Sequence, residues 1–413
     1  MKAEIIAIGS EMLTPDHLDT NSLYITQKLN EAGFEVRLKT IVGDNEDDIT
    51  SALRAALEHS ELIILSGGLG PTEDDLTRSA VARVLERSLR VDPGLLEALR
   101  QRFAGRGYSM PKINERQAET IGGAEILENS FGTAPGMWIE EAGRHIVLLP
   151  GPPRELKPMV ENHVLPRTQK LGQGRRMARR VLHVTGMTES EVDSKVAPIY
   201  KAYSQVRTTI LASPGQIALR LYRWLDPGER AADLEELSAK MQETLGEAIF
   251  SDTGESLEEV VGRILRESGN TLAVAESCTA GMVGMRITRV PGSSEYFLGG
   301  ILCYSNDAKR NLCSVPATLM EKQGAVSGEV AEALACGVRE ALRSSIGLSI
   351  TGIAGPGGGT PAKPVGLAYV GLSDGKRTIH LRRIIPGDRE TIRERTTYFA
   401  LSSLRRFLIS KQE

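Results

Sequence analysis

Short runs of apolar residues alternate with helically spaced apolar positions along the first part of the chain. The runs Ala3–Ile8, Glu61–Leu65 and His145–Leu149 are typical of buried strands, and glycine or proline follows each within two residues. Between the first two runs, the spacing predicts a helix at Asn21–Ala32, a strand at Phe34–Val42 and a helix at Asn45–Leu57 capped by Asn45. This alternation predicts an α/β fold with a mostly parallel sheet covered on both faces, whose ligands bind where strands end.

A different pattern starts near Arg175, in the basic run GRRMARR, which indicates a flexible junction. Beyond it, alternating positions predict a small α+β module without a glycine-rich loop. The expected strands are Val181–Thr185, Arg207–Ala212, Gln216–Trp224 and the closing pair Ile249-Phe250, and the expected helices are Glu189–Tyr203 and Glu229–Leu245. We therefore expect a separate middle module.

A third region starts near Ser256 and again alternates strands with helices. The expected strands are Thr271–Ala275, Tyr296–Tyr304, Gly347–Thr351, Val365–Leu372 and Thr378–Ile385, and the expected helices are Leu257–Glu267, Glu329–Arg343 and Asp388–Leu408. Two of the strands run into turns rich in small residues, so chemistry is expected at those strand ends.

Composition and charge exclude several classes of protein. The 413 residues carry 50 Lys+Arg against 53 Asp+Glu, a net charge of −3, so the chain is not built around nucleic acid or an anionic membrane. The 4 cysteines have no CxxC spacing and the 6 histidines are scattered, which argues against a disulfide scaffold and against zinc or histidine metal centres. No run approaches the ~18 apolar residues of a membrane span, and the N-terminus is unlike a signal peptide. We expect a cytoplasmic protein with free thiols.

The run Ser66–Thr77 (SGGLGPTEDDLT) joins a buried strand to a helix through glycines. Glycines let backbone N–H groups approach a ligand, and such strand-to-helix loops bind phosphate-like anions. The carboxylates of Glu73, Asp74 and Asp75 could hold a divalent cation beside a pyrophosphate, or they only complement the helix dipole. The turn Leu149–Glu155 (LPGPPRE) follows a strand at the same sheet edge, and it is either purely structural or a wall of the same site.

The turn Ala275–Gly281 (AESCTAG) places Ser277 between a strand and a helix. Helix N-terminal amides can stabilise an oxyanion, so Ser277 is either a nucleophile or the helix N-cap. Cys278 is a competing nucleophile with little support, because His380 is the one histidine of this region and lies far along the chain.

The run Cys303–Lys309 (CYSNDAK) provides candidate acids and bases in a region with a single remote histidine. A strand is expected to deliver Tyr304, and a turn is expected to deliver Lys309. A desolvated lysine can act as a base, whereas the alternative is a lysine on a solvated turn.

The run Ser349–Thr360 (SITGIAGPGGGT) opens a buried strand into glycines. So many glycines are entropically costly in a simple turn, which favours a phosphate or nucleotide cradle over a flexible loop. Arg389 and Arg393 follow one turn apart on the last helix, as either a phosphate fork or exposed helix charges.

In combination and order, these motifs resemble the CinA family of competence/damage-inducible proteins over nearly the whole chain. SGGLGPTEDDLT and LPGPPRE resemble the CinA version of a three-layer molybdopterin-binding fold, and AESCTAG, YSNDAK and TGIAGPGGG resemble a nicotinamide-nucleotide amidase domain. The middle module is similar to the family's KH-like linker, without the GxxG loop that binds nucleic acid. The resemblance implies α/β domains at residues 1–172 and 253–413 and a small α+β KH-like domain at 173–252.

The resemblance implies two hydrolytic activities. The C-terminal domain would deamidate nicotinamide mononucleotide (NMN) to nicotinate mononucleotide and ammonia without a cofactor. The N-terminal domain would hydrolyse ADP-ribose to AMP and ribose 5-phosphate with a divalent cation such as Mg²⁺, Mn²⁺ or Co²⁺. A homodimer is expected, and no membrane or nucleic-acid partner. The alternatives are a molybdopterin-binding cofactor-synthesis protein, disfavoured because the Gly-Thr-Gly loop of such enzymes is missing, and a non-catalytic competence scaffold.

The resemblance also implies roles for individual residues. Ser277 would attack the carboxamide, Lys309 or Tyr304 would move the proton, and the amides of Cys278 and Thr279 would form the oxyanion hole. The implied substrate-binding residues of the amidase are Cys278, Thr279, Gly281, Asn306, Thr351, Gly352, Gly355, Gly357, Gly358, Arg389 and Arg393. Nucleotide-binding residues in the first domain are expected at Gly9, Ser10, Glu11, Gly67, Gly68, Gly70, Pro71, Thr72, Thr77, Gly151 and Pro152, with Asp74 and Asp75 as metal ligands.

Overall fold

The computed structural model describes residues 1–105, 107–172 and 174–410, which form two compact units. One unit contains residues 1–178 and 224–230, and the other contains residues 179–223 and those from 231 onward. The start of the expected middle domain at residue 173 and the end of the expected last domain at 411–413 lie outside the described residues. Every helix within the described ranges is too short or too polar to span a bilayer.

The first unit is built on a six-stranded sheet in the order β2-β1-β3-β8-β7-β6. Its strands are β1 Lys2–Ile8, β2 Glu35–Val42, β3 Leu62–Ser66, β6 Glu125–Leu127, β7 Gly136–Glu141 and β8 Arg144–Leu149, and a separate pair is formed by β4 Leu89–Val91 and β5 Glu119–Ile121. The neighbours β2, β1, β3 and β8 are parallel, whereas β7 and β6 pair antiparallel. The predicted, mostly parallel α/β sheet is therefore confirmed.

Helices cover both faces of this sheet. They are α1 Thr20–Glu31, α2 Glu46–His59, α3 Thr77–Val84, α4 Pro93–Ala104, α5 Pro153–Met159 and α6 Leu165–Leu171, with shorter helical turns at Ser10–Leu13, Lys112–Ala118 and Val160–Val164. Successive residues of a strand point to opposite faces, so Ile63 packs with Ile49 of α2 while Ile64 packs with Ile25 of α1. This arrangement gives three layers and explains why the strands are continuously apolar.

The middle module is a four-stranded sheet in the order β10-β11-β9-β12, with two helices. Its elements are β9 Arg176–Thr185, α7 Glu189–Tyr200, β10 Arg207–Ser213, β11 Gln216–Leu225, α8 Ala232–Leu245 and β12 Ile249–Ser251. The α+β prediction is confirmed, but the prediction of a flexible junction at GRRMARR is wrong. Residues Arg176–Arg180 form the first half of β9, where the three arginine side chains are exposed while the backbone belongs to the sheet.

The C-terminal domain contains a five-stranded sheet in the order β14-β13-β15-β16-β17. Its strands are β13 Leu272–Glu276, β14 Phe297–Leu302, β15 Ile346–Gly352, β16 Leu367–Ser373 and β17 Thr378–Ile384. The helices are α9 Leu257–Glu267, α10 Met282–Thr288, α11 Asn306–Cys313, α12 Ala317–Gln323, α13 Gly328–Ala341 and α14 Arg389–Ile409. Because β14, β13 and β15 are parallel, the segments after Leu302, Glu276 and Gly352 meet at one edge.

Candidate active sites

The turn after β13 is organised by the buried carboxylate of Glu276. This carboxylate accepts hydrogen bonds from the backbone N–H groups of Gly281 (2.9 Å), Val283 (3.2 Å) and Gly284 (2.9 Å). These amides at the start of α10 are thus bound to Glu276, whereas the expected oxyanion donors, the amides of Cys278 and Thr279, are not among them. The N-cap alternative for Ser277 is wrong, because Gly281 caps α10 with a left-handed backbone. Ser277 lies free of the helix, and its amide donates to the carbonyl of Ile350.

A buried lysine lies beside Ser277. The Nζ of Lys309 is 3.1 Å from the Ser277 hydroxyl oxygen, 2.8 Å from the carbonyl oxygen of Cys303 and 3.3 Å from that of Tyr304. Lys309 is only 2% exposed, and its burial lowers the pKa of its amine below the ordinary value. If two N–H groups of a neutral amine bind the two carbonyls, its lone pair is left for the serine. The arrangement can therefore remove a proton from Ser277.

The expectation that a turn delivers Lys309 is wrong, because the residue lies in α11, one turn after its N-cap Ser305. Of the two alternatives for its environment, the solvated one is wrong, because Lys309 is buried. The capped helix fixes the direction of the side chain, which then reaches back to the end of β13. Asn306, an expected substrate-binding residue, is the first residue of the same helix.

Tyr304 and Cys278 lie next to this pair in different environments. Tyr304 follows β14 rather than ending it, its side chain is 61% exposed, and its hydroxyl accepts a hydrogen bond from Arg389 (3.1 Å). Cys278 is buried, and burial raises the pKa of its thiol to about 11, so the thiolate is disfavoured. The geometry supports Ser277 over Cys278 as the nucleophile, and Lys309 over Tyr304 as its base.

The two arginines of α14 contact the surrounding loops. Arg393 donates to the carbonyls of Cys278 and Thr279, both at 3.1 Å. It thereby braces the turn Ala275–Gly281 that carries Ser277, called the serine turn below. Arg389 donates to the carbonyl of Gly355 (2.7 Å) as well as to Tyr304. Each guanidinium is thus bound to protein atoms. The phosphate-binding role of Arg389 and Arg393 stays a prediction.

The glycine-rich loop after β15 packs directly against the serine turn. A Cβ at Gly352 would lie 3.2 Å from the sulfur of Cys278 and 2.8 Å from the carbonyl oxygen of Leu367. Gly355 and Gly358 have positive φ angles of 75° and 82°, which other residues rarely adopt. Thr351 instead points away, since its hydroxyl donates to the carbonyl of Ala325. Gly357 has open space around it, as a ligand-facing loop requires.

In the first unit, three loops meet at the carboxyl edge of the parallel strands. A Cβ at Gly67 would lie 2.1 Å from the carbonyl oxygen of Ile8, and one at Gly151 would lie 3.6 Å from the Cα of Gly67. Thr77, at the start of α3, donates its hydroxyl to the Gly67 carbonyl (2.8 Å). The Ser10 amide donates to the carboxylate of Asp44, which lies in the loop after β2, and the Asp44 amide donates to the Ser10 hydroxyl. Of the predicted N-terminal residues, Gly67, Gly151 and Thr77 thus come together at a glycine-lined edge.

Asp75 closes this loop from inside. Its carboxylate accepts from the amides of Gly70 (2.7 Å) and Thr72 (2.8 Å) and from the Thr72 hydroxyl (2.5 Å), whereas Asp74 is exposed. Within the described residues, no group of three or more His, Cys, Asp or Glu side chains is arranged to hold a metal ion. A cation coordinated only by protein side chains therefore does not fit this loop. A cation coordinated by both Asp74 and the oxygens of a diphosphate fits, because Mg²⁺ often binds through one or two carboxylates and substrate phosphates.

Two residues that organise these sites were not singled out from the sequence. Glu276 looked like an ordinary strand-end residue, although an acid two residues into the AESCTAG motif, at the end of an apolar run, was a usable signal. Arg78 is buried and donates to the carbonyls of Leu69 (2.8 Å) and Gly70 (2.9 Å), and so holds the first glycine loop. The sequence places Arg78 near the start of a predicted helix, and this position alone does not indicate that its side chain holds the loop.

The domains match known families in the order that the fold shows. Residues 4–170 match the family described as "Probable molybdopterin binding domain", residues 179–251 the "Damage-inducible protein CinA KH domain", and residues 254–408 the "CinA C-terminal domain". Fold and matches together define a three-domain protein that joins a molybdopterin-binding-like domain to a CinA-type C-terminal domain.

Full-length relatives give the family. The chain is 49% identical to a CinA-like protein of Koribacter versatilis, over 99% of this chain and 100% of the relative. It is 46% identical to a CinA-like protein of Solibacter usitatus over 100% of both chains. The chain belongs to the CinA family. Among solved structures, the CinA protein of unknown function from Thermoplasma acidophilum is 32% identical, covers 41% of this chain and 99% of its own, and has a TM-score of 0.38.

Proposed function

We propose that the C-terminal domain is a serine amidase that deamidates NMN to nicotinate mononucleotide and ammonia. The observation that carries this proposal is the buried contact between Lys309 and Ser277, 3.1 Å apart. A carboxamide is a poor electrophile, so its hydrolysis benefits from an activated nucleophile and a covalent intermediate. The choice of NMN as the substrate rests on the family resemblance of the AESCTAG, YSNDAK and TGIAGPGGG motifs.

The reaction proceeds in two stages. In the first, neutral Lys309 takes the Ser277 proton while Oγ attacks the carboxamide carbon, and the carbonyl oxygen becomes an oxyanion facing the amides of Cys278 and Thr279. The Lys309 ammonium then protonates the departing nitrogen, the C–N bond breaks, and ammonia leaves an ester on Ser277. In the second stage, Lys309 takes a proton from water, the hydroxide attacks the ester, and the returned proton restores Ser277.

The buried position of Lys309 suits both roles. Desolvation favours the neutral amine that accepts the serine proton, and the two backbone carbonyls still stabilise the ammonium after transfer. The alternative base, Tyr304, is largely exposed and bound to Arg389, which suits contact with a bound nucleotide better than proton removal from Ser277.

For the first domain, we propose metal-dependent hydrolysis of ADP-ribose to AMP and ribose 5-phosphate. The supporting observation is the glycine-lined edge at Gly67 and Gly151, where the backbone at Gly67 lies too close to the Ile8 carbonyl for a side chain and Gly151 lies next to it. A bound divalent cation would neutralise charge on the two phosphates, with Asp74 as its protein ligand. Asp75 shapes the loop, and the glycines leave room for the diphosphate.

One experiment tests both proposals. Purified protein is incubated with NMN and with ADP-ribose, each with and without divalent metal, and ammonia and AMP are measured. Ammonia release from NMN without added metal, and AMP release from ADP-ribose only with metal, are expected. Tight pterin binding without turnover of either compound would instead favour the cofactor-synthesis alternative.

A further inference from the structure

A cavity whose lining includes neither Ser277 nor Lys309 lies where the middle module meets the C-terminal sheet within the second compact unit. Its volume is about 550 Å³, within the range that small-molecule ligands occupy. Segment 185–191 and the β10–β11 turn form one wall, and the end of β17 together with α14 forms the other. Contact between the walls is close, since a Cβ at Gly215 would lie 2.4 Å from the Cβ of Tyr398.

Three arginines line this cavity. Arg383 extends over the Phe399 ring, 5.2 Å from its centroid, and donates to the Gly186 carbonyl, while Arg395 donates to the Pro386 carbonyl (3.1 Å). The third, Arg406, is exposed, and its guanidinium has no hydrogen-bond or ion-pair partner among the described residues.

The lining also includes two carboxylates, Glu189 and Glu191. Glu191 is engaged in capping α7, because it accepts from the amide (2.7 Å) and the hydroxyl (2.9 Å) of Thr188. The three guanidinium groups outnumber the two carboxylates, so the lining carries a net positive charge although Glu191 also interacts with Arg383. A phosphate, with three acceptor oxygens, can bind more than one guanidinium group at once.

The rest of the lining supplies a hydroxyl and an apolar surface. Ser402 is 6% exposed, and its hydroxyl has no partner among the described residues. Ile217 and the Phe399 ring contribute apolar area to the same space. A net positive charge, a free buried hydroxyl and apolar area in one cavity suit a ligand that combines a phosphate with a ring.

We propose that this cavity binds a small organic phosphate with a ring-shaped body, of the size of a nucleoside monophosphate. The site is separate from both proposed hydrolytic sites, and its occupation does not depend on either activity.

The test is hydrogen–deuterium exchange of the full chain, titrated with AMP and, as an uncharged match, with adenosine. Because exchange is read peptide by peptide, protection here is distinguished from AMP binding in the first domain. AMP is expected to protect segments 185–191, 212–217 and 381–386, and adenosine is expected to require at least a tenfold higher concentration.

A matched pair of variants localises the anion. Arg406→Ala removes a guanidinium that makes no bond within the described structure, so the fold should persist, and it should raise the AMP concentration for half-protection at least tenfold. Arg382→Ala is the control. Arg382 precedes Arg383 on β17, but the side chain of Arg382 does not line the cavity, so this variant should bind AMP as the parent chain does. No protection of these segments by AMP, equal protection by adenosine, or unchanged protection in folded Arg406→Ala would each overturn the proposal.

Discussion

The Nζ of Lys309 lies 3.1 Å from the hydroxyl oxygen of Ser277, although the two residues are 32 positions apart in the chain. Each reaches this point from its own strand–turn–helix segment, and the parallel pairing of β13 with β14 brings the two segments to one edge. Both side chains are buried, so their contact is set by the packing of the domain rather than by a mobile surface.

Replacing Ser277 is expected to abolish the proposed deamidation. Ser277→Ala removes the attacking oxygen, and kcat for NMN should fall by a factor of ~10³ or more while the substrate still binds. Ammonia release and equilibrium binding of NMN measure the two effects. Cys278→Ala is the matched control and should keep turnover within a few-fold. Near-normal turnover in Ser277→Ala, or loss only in Cys278→Ala, would show that the serine is not the nucleophile.

The proposed deamidation should depend on pH through Lys309. Only the neutral amine accepts the serine proton, so kcat/KM should rise as the pH rises through the Lys309 pKa and level off above it. Burial lowers this pKa, so the midpoint should lie below that of an ordinary lysine. A pH profile of the parent chain measures the midpoint. Lys309→Arg, which stays charged, should be inactive at every pH; substantial activity in this variant would exclude Lys309 as the base.

Glu276 is expected to act as a positioning residue. Glu276→Gln places an amide N–H₂ against backbone donors, so it should lower the unfolding free energy by about 2 kcal/mol and reduce kcat more than it changes KM. Chemical denaturation and NMN kinetics provide the two readouts. The exposed Glu295→Gln is the control and should change neither. A Glu276→Gln variant with parental stability and kcat would show that the carboxylate does not organise the serine turn.

The two aspartates of the first loop should behave differently. Asp74→Asn should raise the metal concentration required for the proposed ADP-ribose turnover, because it removes the exposed carboxylate proposed to hold the metal. Asp75→Asn should reduce turnover at all metal concentrations, since it breaks the hydrogen bonds that shape the loop. AMP release against metal concentration separates the effects, and NMN turnover in the same samples is the control. Unchanged metal dependence in Asp74→Asn would show that Asp74 does not hold the metal.

Much of the fold follows from local pattern, because apolar periodicity and capping residues act over a few positions. Helix α9 has the predicted bounds, and α2 starts after Asn45, whose side chain accepts from the amides of Asp47 and Asp48. Helix α4 was not predicted, although Asp92 and Pro93 are an ordinary helix start. The basic strand Arg176–Arg180 was mistaken for a junction, because its solvated side chains conceal backbone pairing that depends on distant strands.

The sequence indicated which loops form the candidate sites, but it did not indicate which contacts the residues of those loops make. Glycine runs at strand ends pointed to the loops, since few residues other than glycine allow such close backbone approach. Which atoms the carboxylate of Glu276 binds, and whether Lys309 is buried, depend on how α10 and α11 pack, and sequence spacing carries no such information. For the same reason Arg389 and Arg393 looked like a fork for substrate, whereas in the structure both donate to carbonyls of the protein.

The brace from Arg393 to the carbonyls of Cys278 and Thr279 sets an order of events during synthesis. The serine turn is translated more than a hundred residues before this arginine. While the ribosome still shelters α14, a nascent chain can pair β13 with its neighbours but lacks the group that braces the serine turn. Completion of this turn therefore waits until α14 has emerged from the ribosome.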